Sequence, residues 1–147
     1  MLDLNAIISK YATEKQYEFE AHEDGRFSID VAMQMKDGNT RYQYVWIWVE
    51  EERAKDKACV FFASEVGDYD ASVNLYELMK EANYSVYSSI AIVENHGEED
   101  DETQEIILVQ ASPIYDYLEE DEFIYILEEV AQVADVIEES HFGQDVN

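Results

Sequence analysis

The chain has 147 residues, of which 35 are acidic and 9 are basic, so its formal net charge at pH 7 is −26. This length predicts a single domain over residues 1–147, and a hydrophobic content of 47% is too high for a disordered chain. A phosphate backbone is bound by clustered Lys and Arg, so the charge argues against DNA, RNA or an anionic membrane as a direct partner.

The first half of the chain predicts one helix and then a meander of about four strands. Apolar residues recur at helical spacing between Asp3 and Glu14, and Asp3 is a suitable N-cap. After this helix, apolar and polar residues alternate in short runs separated by turn residues. The predicted strands are 16–21, 27–36, 41–49 and 58–63, and the charged run 50–57 is predicted to be a solvated turn.

The third predicted strand is apolar on both faces, which is typical of a central strand. Its two faces consist of Tyr42, Tyr44, Trp46 and Trp48 on one side and Val45, Ile47 and Val49 on the other. Such a strand needs cover on both sides, either from helices of its own chain or from a partner. The aromatic side therefore has two interpretations, packing in the core against a helix or contact with a partner or a second copy.

A second helix is predicted where the strand pattern stops. The pair Gly67-Asp68 is expected to interrupt the sheet, and Asp70 or Ser72 is expected to cap a helix over 73–84. The broad apolar face of this helix includes Leu75, Tyr76 and Met79.

The rest of the chain predicts two strands and a long final helix. The strands are 84–93 and 105–111, with an acidic loop at 94–102 between them, and the helix is 119–140 with Gly143 as its stop. The complete order is helix-β-β-β-β-helix-β-β-helix. This order predicts an α+β domain with an antiparallel sheet of about six strands.

No catalytic, metal-binding or cofactor-binding site is predicted. His22, His96 and His141 lack the spacing of metal ligands, and the chain has no phosphate-binding or nucleophile motif. Cys59 lies in the apolar run 58–63, where a buried hydrophobic role is expected rather than a nucleophilic one. No secretory signal and no apolar run of ~20 residues is present. We therefore expect a cytoplasmic protein that is neither an enzyme nor a membrane protein.

The order of elements and the final helix resemble type III secretion chaperones and the bacterial YbjN-like proteins that share their fold. The similar segment is the Val- and Ala-rich helix 123–138 with its Ala134-Asp135 pair, followed by Phe142-Gly143 and Asp145. The resemblance implies a small, acidic homodimer whose sheet or helix surface holds a segment of another protein.

The sequence thus predicts a non-catalytic protein-binding module, chaperone-like or regulatory. The expected contacts with the partner are Tyr42, Tyr44, Trp46, Trp48, Leu75, Tyr76 and Met79. The acidity has three interpretations, namely a solubilising surface that also suits a salty cytoplasm, steering of a basic partner, and mimicry of nucleic acid. The alternative function is accordingly an acidic nucleic-acid mimic that inhibits a basic DNA-binding protein.

Overall fold

A computed structural model describes residues 1–34, 38–96 and 103–142. Within these residues the chain forms three α-helices and six strands in the predicted order. The helices are α1 (Leu4–Lys15), α2 (Leu75–Glu81) and α3 (Glu120–His141). The strands are β1 (Phe19–Ala21), β2 (Phe27–Gln34), β3 (Thr40–Ala54), β4 (Lys57–Asp68), β5 (Ser89–His96) and β6 (Thr103–Ala111). The predicted α+β class with a six-stranded antiparallel sheet is confirmed.

The sheet has the strand order β1-β2-β3-β4-β6-β5, with every neighbouring pair antiparallel. Helix α3 packs across β2, β3, β4 and β6, while α1 packs on β1 and α2 on α3. The ring of Phe62 on β4 lies 5.0 Å from the ring of Phe123 on α3, and both are fully buried. The core therefore lies on one side of the sheet. No helix of the described part of the chain is both long and apolar enough to cross a membrane.

Capping residues fix both ends of the first helix, and the sequence predicts the first of them, Asp3. The Asp3 carboxylate accepts a hydrogen bond of 3.1 Å from the backbone N–H of Ala6. Gln16 ends α1 with a φ of 63°, a left-handed conformation that stops the helix. The long helix begins with Glu120, Asp121 and Glu122, whose negative charges suit the positive end of the helix dipole.

The charged run 50–57 is not a turn, which corrects the sequence prediction. Strand β3 continues to Ala54, only Lys55 and Asp56 form the turn, and β4 begins at Lys57. The register shifts between Glu50 and Ala54, where Glu52 has a φ of 53°. Such a bulge lets the charged side chains point into solvent while the strand remains paired. A run of charged residues is therefore not sufficient to indicate a turn here.

The pair Gly67-Asp68 does not interrupt the sheet, because β4 continues to Asp68 with a register shift between Glu65 and Gly67. A Cβ atom at Gly67 would collide with the aromatic ring of Phe142, which lies just beyond α3. Glycine here allows close approach of a distant side chain, one of the uses of glycine inside a strand. The sequence pattern around Gly67 gives no indication of its contact with Phe142, so the strand break was predicted wrongly.

Helix α2 is shorter than predicted and has a different cap. The side chain of Asn74 accepts the N–H of Glu77 at 3.2 Å, whereas Asp70 accepts the N–H of Ser72 in the preceding turn. The strand predicted from residue 84 begins only at Ser89. Residues 97–102 of the predicted acidic loop, the hairpin residues 35–37, and Gly143 and Asp145 lie outside the described residues.

Candidate functional site

The side of the sheet opposite the three helices, here called the open face, carries the aromatic residues of β3. Directly paired residues of antiparallel strands point to the same face of a sheet, so the strand register defines this surface. Trp46 is paired with Ser28 of β2 and Ala63 of β4, and Trp48 with Phe61. The alternate residues Val45 and Ile47 belong to the core under α3. The open face includes, among others, Glu20, Ser28, Asp30, Tyr42, Tyr44, Trp46, Trp48, Glu50, Phe61, Ala63, Leu108 and Gln110.

Among the described residues, no helix covers the aromatic side of β3. Tyr42 and Tyr44 are 60% and 43% exposed, and Trp46 and Trp48 are half-buried. Of the two interpretations of this stripe, packing against a helix of the same chain is therefore wrong. The aromatic stripe is part of the surface.

The rings on the open face are partly covered by cations and rings of the same chain. The guanidinium of Arg26 lies 4.7 Å above the ring of Trp46, and the His22 ring lies 4.8 Å from it. Tyr44 approaches Trp46 edge to face at 5.4 Å. These contacts explain why Trp46 is half-buried although no helix lies above it.

A second ring pair continues the aromatic surface along β3. Trp48 stacks on Phe61 with ring centroids 5.3 Å apart and planes 14° from parallel. The guanidinium of Arg53 lies 5.7 Å from the Phe61 ring, and the indole N–H of Trp48 donates to Glu50 at 2.9 Å. Offset stacking with a satisfied indole N–H is a stable arrangement, so this pair is a fixed part of the surface.

The residues of α2 predicted to bind a partner lie on a different surface. Leu78 of this helix is fully buried in the core beneath the sheet, and Leu75 packs against that core. Tyr76 and Met79 are exposed and point away from it. The seven predicted partner residues are therefore divided between the open face, the core, and the outer side of α2.

His22 joins two polar residues on the open face. Its Nε2 lies 2.8 Å from Ser28 Oγ, and its Nδ1 lies 3.0 Å from a carboxylate oxygen of Glu20. These distances match a serine, histidine and acid relay, but Ser28 is only 2% exposed and pairs with strands on both sides. A nucleophile must be reached by its substrate, so the network is better described as fixing the His22 ring on Trp46.

Carboxylates surround a small recess beside Tyr44. The recess has a volume of about 110 Å³, and its lining includes Glu18, Glu20, Asp30, Ser28 and Tyr44. Burial, together with the charge of Glu18, raises the pKa of the Asp30 carboxyl above its ordinary value. The negative charges at this edge of the open face are therefore crowded, and of the three carboxylates Glu20 lies 3.0 Å from the His22 ring.

Two polar clusters on the helix side hold the fold together, and the sequence indicated neither. The buried carboxylate of Glu129 accepts the backbone N–H groups of Val86, Tyr87 and Ser88 at 2.7–2.9 Å. Arg41 reaches from β3 to α3, where its Nη2 donates to Asp135 at 2.6 Å. The Glu129 cluster also explains the late start of β5, because these three N–H groups are not available for strand pairing.

The remaining single-residue predictions concern Cys59 and the histidines. Cys59 is a free, buried cysteine, as predicted. His141 lies 3.2 Å from Glu81, and the side chain of His96 lies outside the described residues. Among the described residues, no group of three or more His, Cys, Asp and Glu side chains is arranged to hold a metal ion.

Comparison with known proteins adds no relative. No family model, no curated protein and no solved structure matches this chain. The functional argument therefore depends on the geometry of the chain itself.

Proposed function

We propose that this protein is a non-catalytic, chaperone-like protein-binding module that holds a segment of another protein on its open face. One observation supports the proposal above all: a central strand presents four aromatic side chains on a side that no helix of the described chain covers. Tyr and Trp are enriched in the energetically dominant parts of protein interfaces. Large exposed aromatic surface is unusual in a protein without a partner.

The chemistry of this surface fits a protein partner better than other ligands. The recess beside Tyr44, at about 110 Å³, is far smaller than the roughly 300–1,000 Å³ of typical small-molecule sites. Aromatic rings can also stack on bases, but the net charge of −26 repels a phosphate backbone. A polypeptide segment can place apolar side chains against the rings. Its backbone is uncharged, so the acidic surface does not repel it.

Site-specific photo-crosslinking tests this function. A photoreactive phenylalanine analogue would replace Tyr42 on the open face, Tyr76 on α2, or Tyr125 on the outer side of α3, and each variant would be irradiated in extract of the native host. Tyr42 and Tyr76 are similarly exposed, at 60% and 68%, so they form a matched pair. We expect a discrete protein adduct at Tyr42 and none at Tyr125.

The same experiment can contradict the proposal in two ways. An adduct at Tyr76 without one at Tyr42 would assign binding to α2 instead of the open face. Equal labelling at Tyr42 and Tyr125, or no adduct at Tyr42, would remove the open face as a binding surface. Labelling of Ser28 by a fluorophosphonate would contradict the non-catalytic part of the proposal.

The homodimer implied by the resemblance is a separate proposal with its own test. Light scattering coupled to size exclusion is expected to give twice the chain mass of 17.1 kDa. Acidic surfaces repel each other less at high salt, so the dimer should be tighter there than at low salt. A mass of 17.1 kDa at all salt and protein concentrations would show that the protein is a monomer.

A further inference from the structure

The open face already binds cations, which come from its own chain. Arg26 lies over Trp46 at 4.7 Å, and Arg53 lies near Phe61 at 5.7 Å. A guanidinium or ammonium group within about 6 Å of a ring centroid is attracted by the negative face of the ring. The exposed rings of Tyr42 and Tyr44 offer the same chemistry, and no Lys or Arg within residues 1–34, 38–96 and 103–142 lies over either ring.

Carboxylates border these rings on the same face. Glu18, Glu20 and Asp30 lie beside Tyr44, and Glu50 lies beside Trp48. Burial and the charge of Glu18 raise the pKa of Asp30, so a positive group at this position would relieve an existing repulsion. Rings and carboxylates together form a surface suited to Lys and Arg side chains.

Building on the proposed function, we propose that the segment held on the open face is basic and extended, with Lys or Arg at alternate positions. Its cationic groups lie against the rings of Tyr42 and Tyr44 and beside the carboxylates of Glu20 and Asp30. The rings recur at every second residue of β3, a spacing of about 7 Å. An extended segment with alternate basic residues has the same spacing.

Charge distinguishes this partner from the other possible occupants. A second copy of the chain also carries a net charge of −26 and meets repulsion across the face. A nucleic acid meets the same repulsion. A basic segment is attracted over a distance and then gains contacts with the rings.

Two synthetic peptides of equal length and composition test the spacing. One alternates Lys and Ser, and the other has all its Lys in one block and all its Ser in another. In an extended conformation the alternating peptide directs every Lys side chain to one side. The block peptide directs half of its Lys side chains to that side and half to the opposite side. Both tryptophans of the chain, Trp46 and Trp48, lie on the open face, so their fluorescence reports binding directly. We expect the alternating peptide to bind about fivefold more tightly.

Two variants with the same change in net charge test the position. Asp30→Asn removes a carboxylate of the open face, and Glu14→Gln removes an exposed one from α1. The raised pKa of Asp30 means that folding stabilises its neutral form relative to its charged form. Asparagine is neutral, so Asp30→Asn is not expected to unfold the protein. We expect Asp30→Asn to lower the affinity for the alternating peptide about fivefold and Glu14→Gln to leave that affinity nearly unchanged.

Each contrary outcome has a distinct meaning. Equal binding of the two peptides, or equal weakening by the two variants, would show diffuse attraction by the whole acidic surface, as in a nucleic-acid mimic, and would overturn the inference. If neither peptide changes the fluorescence while Tyr42 still gives a protein adduct, the protein-binding function stands and the basic segment is wrong. If both experiments fail, the open face binds no protein.

Discussion

Replacing Glu129 with glutamine is expected to lower the free energy of unfolding by about 3 kcal/mol, because hydrogen bonds to a buried charged acceptor contribute roughly 1.5–3 kcal/mol each. One carboxylate oxygen accepts Val86 N–H at 2.8 Å, and the other accepts Tyr87 and Ser88 N–H at 2.9 and 2.7 Å. A glutamine side chain has one acceptor oxygen, so its NH₂ group would face at least one backbone N–H. Urea denaturation measures the loss.

The effect of this substitution should depend on pH in a defined direction. Burial tends to raise the pKa of Glu129, but the N–H groups of Val86, Tyr87 and Ser88 outweigh burial and lower it overall. A carboxyl with a lowered pKa in the folded state contributes stability above its unfolded pKa, about 4.3, and loses it as the pH falls through the folded value. The difference between the wild type and Glu129→Gln should therefore shrink in acid.

The control for this prediction is Glu14→Gln, which removes an exposed helical carboxylate and should change stability by less than about 0.5 kcal/mol. Faster amide exchange at residues 86–88 in Glu129→Gln would locate the change in the segment before β5. A loss equal to that of Glu14→Gln, or one that stays constant from neutral to acid pH, contradicts the proposed role of Glu129.

Replacing Arg41 with alanine is expected to cost about 2–3 kcal/mol, because removing one partner of a largely buried ion pair leaves the other without compensation. Arg41 donates to a single Asp135 carboxylate oxygen from Nε at 3.1 Å and from Nη2 at 2.6 Å. Its Nη2 also donates to the backbone carbonyl of Asp135 at 3.2 Å. This pair is a polar link between β3 and α3.

A double variant separates the ion pair from simple packing. Arg41→Met combined with Asp135→Leu replaces both charges with apolar groups, which is often neutral or even stabilising for a buried pair. We therefore expect the double variant to be more stable in urea than Arg41→Ala alone. If the two substitutions instead add up to a larger loss, the charges themselves stabilise the link, and our explanation of the single variant is incorrect.

Periodicity predicted the fold well where burial alone decides the structure. The alternation of Tyr44, Val45, Trp46 and Ile47 correctly separated the two faces of β3, and the helical period of α3 gave its bounds to within one residue. Both patterns record which side chains avoid water. They do so without reference to any other part of the chain.

The errors arose where a distant residue decides the local structure. The sequence predicts a strand break at Gly67, but this glycine makes room for Phe142, which lies 75 positions further along the chain. Residues 86–88 were expected in a strand, but Glu129 binds their N–H groups. Likewise, no local signal shows on which side of the sheet α2 lies. Only the structure shows that the predicted partner residues of β3 and of α2 lie on different surfaces.

Strand β5 gives the acidity of this protein a further meaning. It lies at the edge of the sheet and runs for eight residues, with Ile90, Ala91, Ile92 and Val93 in succession and no register shift, lysine or proline. Such an edge favours edge-to-edge joining of sheets from different molecules. Mutual repulsion at a net charge of −26 opposes that joining and disappears near the isoelectric point of about 4.1. Near its isoelectric point the protein loses this repulsion while the β5 edge remains available for pairing. We therefore expect it to aggregate in mild acid.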